Sequence, residues 1–375
     1  MTTLNTEAIQ AAMDAKGLSP AALAKEMQVS RESVSKWLNG ESVPRTDKLL
    51  KLSILLKLSR AVLLGRTEQA AVQPQVAFRM ARGKQAQSSH VARARHRGKM
   101  LEAMVRHLPF DAIHTPPALK NPHDDYDYLQ AVARVIRKEM GVQEAGAINV
   151  PTIANVFRKL QAVIVPVLWG HRKGHENAIH IYLPKTATTW VYLNLDTRMV
   201  DLKFWLAHEL GHTYTFTSLP GDAGEDFADG FAGALLFPDV ACKALYEELQ
   251  PMRAKSRRMD RIKSVADSLE ISMVCVAKQL DRYADRHGLT RIVNEDKALY
   301  QVMEMSKPPL ASSVFFEGED IDLDQLIHIS ESVFHSPVYG ALKSYIREAK
   351  PSVTYVQGIL DCSLVDAKQI VAELA

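Results

Sequence analysis

Two histidines separated by three residues, in His208-Glu209-Leu210-Gly211-His212, come one above the other if the segment is helical. The preceding apolar run Phe204-Trp205-Leu206-Ala207 suits a buried helix. On one helical face the two imidazoles can grip a single Zn²⁺, with the glutamate between them turned towards a metal-bound water. A catalytic zinc needs a third protein ligand and an open position for that water.

Glu225 is the expected third ligand. The thirteen-residue span after His212 contains Pro220-Gly221-Asp222, a turn signal that can end one helix and send the chain back. Residues 225–237 then carry Ala228, Phe231, Ala232, Leu235 and Leu236 at helical spacing, and Pro238 closes the run. Glu225 and Asp229 share a face of this second helix. Glu225 is assigned to the metal and Asp229 to orienting a ligand histidine through its other ring nitrogen, with Asp226 as the fallback ligand. Glu209 is expected to take the proton of the attacking water and hand it to the leaving amine. Four residues are conceivable oxyanion stabilisers: Tyr214, His171, His175 and His180. Residues 189–195 alternate, with Val191, Leu193 and Leu195 on one side and Trp190, Tyr192 and Asn194 on the other, which predicts a half-buried strand. Such a strand either holds a substrate backbone by strand addition or simply packs on the helix.

The run Ala207-His-Glu-Leu-Gly-His212, then Glu225-x-x-Ala228-Asp229-x-Phe231-Ala232-x-x-Leu235-Leu236-Phe237-Pro238, resembles the ImmA/IrrE-type metallopeptidases. Phe237 stands where that family usually has methionine. The resemblance covers about residues 126–240, including the strand Trp190–Leu195. It implies zinc-dependent cleavage of a repressor or antitoxin-like regulator protein, in a family whose members do not all have demonstrated proteolysis.

A second pattern opens the chain. Residues 5–16 read as a helix stopped by Gly17. Ser19 caps a short helix with Pro20 at its first position. After Gln28-Val29, Ser30 caps the segment Arg31–Leu38, which Asn39-Gly40 ends. Two short helices across a tight turn, the second polar at its start, make a helix-turn-helix. The run from Gly17-Leu18-Ser19 to Pro44 resembles the XRE-type, lambda-repressor-like family, with Pro20 where that family usually carries a glutamine that supports a phosphate contact. Ser30, Arg31, Glu32, Ser33, Lys36 and Arg45 are the expected DNA contacts: Arg31 for bidentate reading of guanine, and Lys36 or Arg45 for phosphate. Trp37 fits the core better than the interface. Paired half-sites imply a homodimer on a double-stranded operator.

The charge distribution agrees with DNA at the front. The chain carries +3 in all, yet residues 1–66 hold +4 and 67–106 a further +6, leaving −7 for 107–375. There is no run of the roughly 18 apolar residues of a membrane span. The N-terminus lacks a secretory pattern, and Cys242, Cys275 and Cys362 have no metal-type spacing, so a cytoplasmic protein with free thiols is expected. Zn²⁺ is the expected metal, although Mn²⁺ or Fe²⁺ could use the same donors.

The expected architecture is multidomain. An all-α helix-turn-helix domain spans 1–66, and a basic linker and helical arm spans 67–125, with the linker proper at 67–75 and the arm at 76–106. An α+β zincin-like metallopeptidase domain with a small sheet spans 126–245. Within it, helices are expected at 126–140 and from Pro151 to Leu160, and strands at 162–169 and 178–183. A mostly helical region, 246–375, follows. It holds an internal repeat at 262–288: Ala266, Ile271, Ser272, Val276, Lys278 and Leu280 stand at the offsets of Ala24, Val29, Ser30, Val34, Lys36 and Leu38. Its counterpart of the reading face is Met273-Val274-Cys275, apolar enough to favour packing on protein over base contact.

Overall fold

Capping side chains punctuate the first sixty residues. Asn5, Ser19 and Ser30 each accept an amide hydrogen from the first turn of a helix, which starts α1 (Thr6–Ala15), α2 (Pro20–Met27) and α3 (Arg31–Leu38). Gln28 ends α2 in the left-handed region at φ 54°, and Gly17 and Gly40 leave α1 and α3 at positive φ. With α4 (Thr46–Leu56) and α5 (Arg60–Leu63) these helices enclose a core centred on Ile9, Met13, Leu23, Met27, Val34 and Leu52. Trp37 belongs to that core.

The structure is a computed structural model, and it describes residues 4–44, 46–56, 58, 60–63, 73–79, 88–110, 119–170, 177–293, 299, 301–302, 308–316 and 321–375. The chain divides into two units, Met1–Gln73 and Pro74–Ala375. The layers of the second unit draw on residues from both its ends.

Its elements run β1 (Gln75–Arg79), α6 (Ser88–Leu101), a 3₁₀ turn (Val105–His107), α7 (Tyr126–Glu139), α8 (Val150–Lys159), β2 (Ala162–Val167), β3 (Ala178–Leu183), β4 (Thr188–Asn194), α9 (Met199–Thr215) and α10 (Asp222–Leu236). They continue with α11 (Asp239–Leu249), α12 (Lys255–Leu269), α13 (Met273–Arg286), α14 (Ala311–Phe315), α15 (Leu323–Ser332), α16 (Val338–Ala349), α17 (Val353–Leu360) and α18 (Leu364–Leu374). The fold is multidomain: a helical first unit, then a small sheet in a helical setting.

The sheet order is β1-β3-β4-β2, with β2 parallel to β4 and the other pairs antiparallel. One face, with Ile164, Val191 and Leu193, packs against α9 and α10. The opposite face, with Val165, Ile181, Trp190 and Tyr192, is covered by side chains of α6, α16, α17 and α18. Two expectations are corrected here. First, residues 189–195 are not half-buried: every residue of β4 is buried, because helices remote in sequence cover the side that carries Trp190 and Tyr192. Flanked by β3 and β2, β4 has no free edge on which a substrate could add. Second, the arm at 76–106 is not helical from its start, because Gln75–Arg79 forms a strand whose amides find partners on β3; Ser88–Leu101 is helical.

The internal repeat takes the shape of its counterpart. Glu270 ends α12 in the left-handed region at φ 52°, as Gln28 ends α2, and Ser272 caps α13 as Ser30 caps α3. Met273 and Cys275 are buried within the core of the second unit, so this face looks inward.

Candidate metal centre

The first element of the site is α9, which brings His208, Glu209 and His212 into the interior with almost no solvent exposure. The second is α10, which packs closely across it. Gly211 makes that approach possible: a Cβ there would stand 3.0 Å from Ala228 Cα and 3.1 Å from Phe231 Cδ1. Gly221, at φ 66°, lets the chain turn into α10. Behind α10, Gly230 and Gly233 leave room for Arg282 and Gln279 of α13.

Three donor atoms converge. His208 Nε2 and His212 Nε2 are 3.1 Å apart, and Glu225 places Oε2 3.4 Å from the first and Oε1 3.2 Å from the second. Four-coordinate zinc with bonds of about 2.0–2.1 Å has ligand-to-ligand edges of about 3.3 Å. The triangle therefore matches one face of such a tetrahedron, with two imidazoles and one carboxylate as donors. Asp229 Oδ1 lies 2.9 Å from His208 Nδ1, the position of a carboxylate that fixes the ring and leaves its Nε2 lone pair for a metal. Asp226 is exposed and lines a cavity of about 450 Å³ that also touches Asp229, Lys278 and Asp281. Glu225, and not Asp226, is the carboxylate within reach of both rings.

Glu209 is held from the sheet. Its Oε2 is 3.1 Å from Nδ1 of His180, which is fully buried on β3 and stacks on Phe216 with ring centroids 4.6 Å apart. Burial works against ionisation of Glu209, but the His180 hydrogen bond and the neighbouring imidazoles outweigh it and keep the carboxyl below its ordinary range. Burial likewise lowers His180. At His208 burial opposes the charge, yet Asp229 and Glu225 together raise it to about 9. Glu225 is opposed by burial too, and its two histidine partners carry it far below the usual carboxylate range.

Of the conceivable oxyanion stabilisers among the described residues, Tyr214 and His180, it is His180 that lies at the cluster. Tyr214 packs into the core beside Phe231, and His171 and His175 lie outside the described residues. Sequence reasoning did not foresee that His180 holds Glu209. The available signal was a lone polar side chain inside the apolar run Ala178–Leu183.

At the other end of the chain, Val34 and Trp37 turn inward from α3 while Arg31, Glu32 and Lys36 remain exposed. Ser30 is engaged with Ser33 as a cap, and Lys36 Nζ pairs with Glu32 Oε1 at 2.8 Å. Arg45 lies outside the described residues. Among the described residues, no helix is long and apolar enough to cross a membrane.

The helix-turn-helix family model matches residues 9–63. No curated protein matches the chain. The N-terminal unit is thus a helix-turn-helix of the DNA-binding, XRE type.

Proposed function

We propose that the protein is a DNA-binding regulator that also works as a metal-dependent endopeptidase of the ImmA/IrrE kind, cutting a repressor or antitoxin-like protein. The observation that carries this reading is the triangle of His208, His212 and Glu225 with Glu209 directly beside it. Zn²⁺ suits these donors best and Mn²⁺ could use them; a divalent ion held there supplies Lewis-acid polarisation of a scissile carbonyl and lowers the pKa of water. Asp229 orients the His208 ring. Glu209, ionised and tied to His180 through Oε2, has Oε1 left to accept a proton from water and return it to the departing amine. The buried setting of both histidines keeps this charge exchange out of bulk solvent.

The reading places the protein in the cytoplasm as a homodimer, with Arg31, Glu32, Ser33 and Lys36 of each copy at one operator half-site. Cleavage of a regulator there would couple chemistry to transcription. The test uses protein purified with added zinc or manganese and the repressor encoded beside its gene. Wild type should bind metal stoichiometrically and release fragments, while Glu209→Gln keeps the metal and releases none. A wild-type preparation without stoichiometric metal would overturn the enzyme reading and leave the DNA-binding regulator alone.

A further inference from the structure

A protein substrate presented to this site must lay an extended backbone across it, and an extended backbone is held best by pairing with a strand edge. The strand that reaches the catalytic residues is β3, through His180 and its hydrogen bond to Glu209. One neighbour of β3 is β4, which is buried and fully paired. The free side of β2 is two strands away from β3. The productive edge is therefore the other edge of β3, and β1 sits on it. Ala77 is the residue opposite His180, in a ladder running from Gln75↔Tyr182 to Arg79↔Ala178.

From this juxtaposition we propose that Gln75–Arg79 occupies the place of a substrate strand, so that β1 is an internal competitor that an incoming peptide displaces from β3. β1 is suited to being exchanged. It has five residues and, among the described residues, pairs on one side only, and Gln75, Val76 and Ala77 are each only half-buried. A short edge strand held by one ladder is among the weaker elements of a sheet. Its upstream end is pinned, because Pro74 is buried against Gly98 of α6. The strand can thus leave β3 while its start stays attached. The geometry also sets the ligand class: an extended peptide, antiparallel to β3, with a small side chain opposite His180 as Ala77 now provides.

This inference rests on the peptidase reading for the identity of the displaced position, but its test does not need turnover. All proteins carry Glu209→Gln, and the probe is a fluorescent peptide with the sequence of residues 73–79. Val76 and Ile181 are directly paired, so Val76→Cys/Ile181→Cys, in a Cys362→Ser background, can lock β1 to β3 on oxidation. The oxidised form should not bind the peptide, and reduction should restore binding. Val76→Pro/Ala77→Pro, which removes β1 amides from the ladder, should bind about tenfold or more tightly than the parent, because the open edge no longer has to be won from β1. Equal binding to locked and reduced forms overturns the proposal, and so does absence of binding to the reduced form; the locked pair decides the matter even if the proline variant does not fold. Strand exchange without any cleavage by the Glu209 protein would refute the peptidase reading and leave β1 as a displaceable strand. Regulator cleavage together with identical peptide binding by locked and reduced forms would do the reverse.

Discussion

Replacing Asp229 by alanine tests the site most sharply, because the carboxylate touches no metal-facing atom. Its Oδ1 stands 2.9 Å from Nδ1 of His208, on the far side of that ring from the metal-facing nitrogen. Partners in this position are worth about 10–100-fold in metal affinity, or about 1.4–2.7 kcal/mol. The pH of the measurement matters. In the metal-free protein burial disfavours charged His208, but Asp229 and Glu225 raise it to about 9. The stabilisation of that proton is complete below the ordinary histidine value of about 6.5 and is lost as the pH rises through about 9. A metal must displace this proton, so affinity should climb until about pH 9. Asp229→Ala weakens both the metal and the competing proton. Its full loss should therefore appear at pH 9 and shrink towards pH 7. Competition with a chromophoric chelator reads both values. Glu225→Ala should lose more than 100-fold, beyond the range for an orienting partner, and Asp226→Ala should match wild type. Asp229→Ala within twofold of wild type at pH 9, or a larger loss in Asp226→Ala, would refute this assignment.

Removing metal with a chelator should lower the melting temperature by several degrees, reversibly on adding zinc, since an ion at a thousand times its Kd contributes about 4 kcal/mol to the folded state; an unchanged transition argues against a folded-state metal site. Gly211→Ala should weaken the α9–α10 contact, overpacking costing about 1–3 kcal/mol against a helix-propensity gain of about 1 kcal/mol, so calorimetry should show lower stability and the chelator assay lower affinity. Higher stability with unchanged affinity would mean that α10 yields freely. Arg31→Ala should weaken operator binding by about 1–3 kcal/mol and relax sequence preference in a gel-shift titration; a uniform loss across all sequences would demote Arg31 to a phosphate contact. Ser30→Ala and Ser272→Ala should each cost about 1 kcal/mol as caps, the first lowering DNA affinity and the second leaving it intact.

The convergence of His208, His212 and Glu225 could be read from the sequence because both helices that carry them are local: i,i+4 spacing places His208 above His212 whatever surrounds them, and Pro220-Gly221 announces the return. What escaped was set by distant chain. Trp190 and Tyr192 looked like a wet face, since nothing near them in sequence could cover them. In the fold Tyr192 donates its hydroxyl to Ile359 O at 2.6 Å, across 167 residues. β1 escaped because Arg79, Arg82 and Lys84 gave the segment a solvated character, whereas its strand state comes from the ladder with β3. His180 gave a weak signal for the same reason: its partner Glu209 is 29 positions away.

One local code recurs through the molecule with different consequences. Gln28, Glu270, Lys350 and Asp361 all end a helix in the left-handed region, and two residues later Ser30, Ser272, Ser352 and Ser363 each cap the next. Residue identity revealed the second occurrence; the third and fourth, joining α16 to α17 and α17 to α18, share only the capping chemistry and so escaped the sequence comparison. Backbone punctuation fixes the bend between two helices, but the side chains that follow the cap decide what the second helix meets. After Ser30 they are Arg31 and Glu32, left exposed, and the half-buried Ser33. After Ser272 they include Met273 and Cys275, drawn into the core that α9 and α10 share. There the turn itself is fastened from the site side: the buried Lys203 of α9, five residues before His208, donates to Leu269 O at 2.8 Å and lies 3.3 Å from Glu270 Oε2. The same bend that leaves Arg31 and Glu32 exposed in one unit thus braces α9, which carries His208 and His212, in the other.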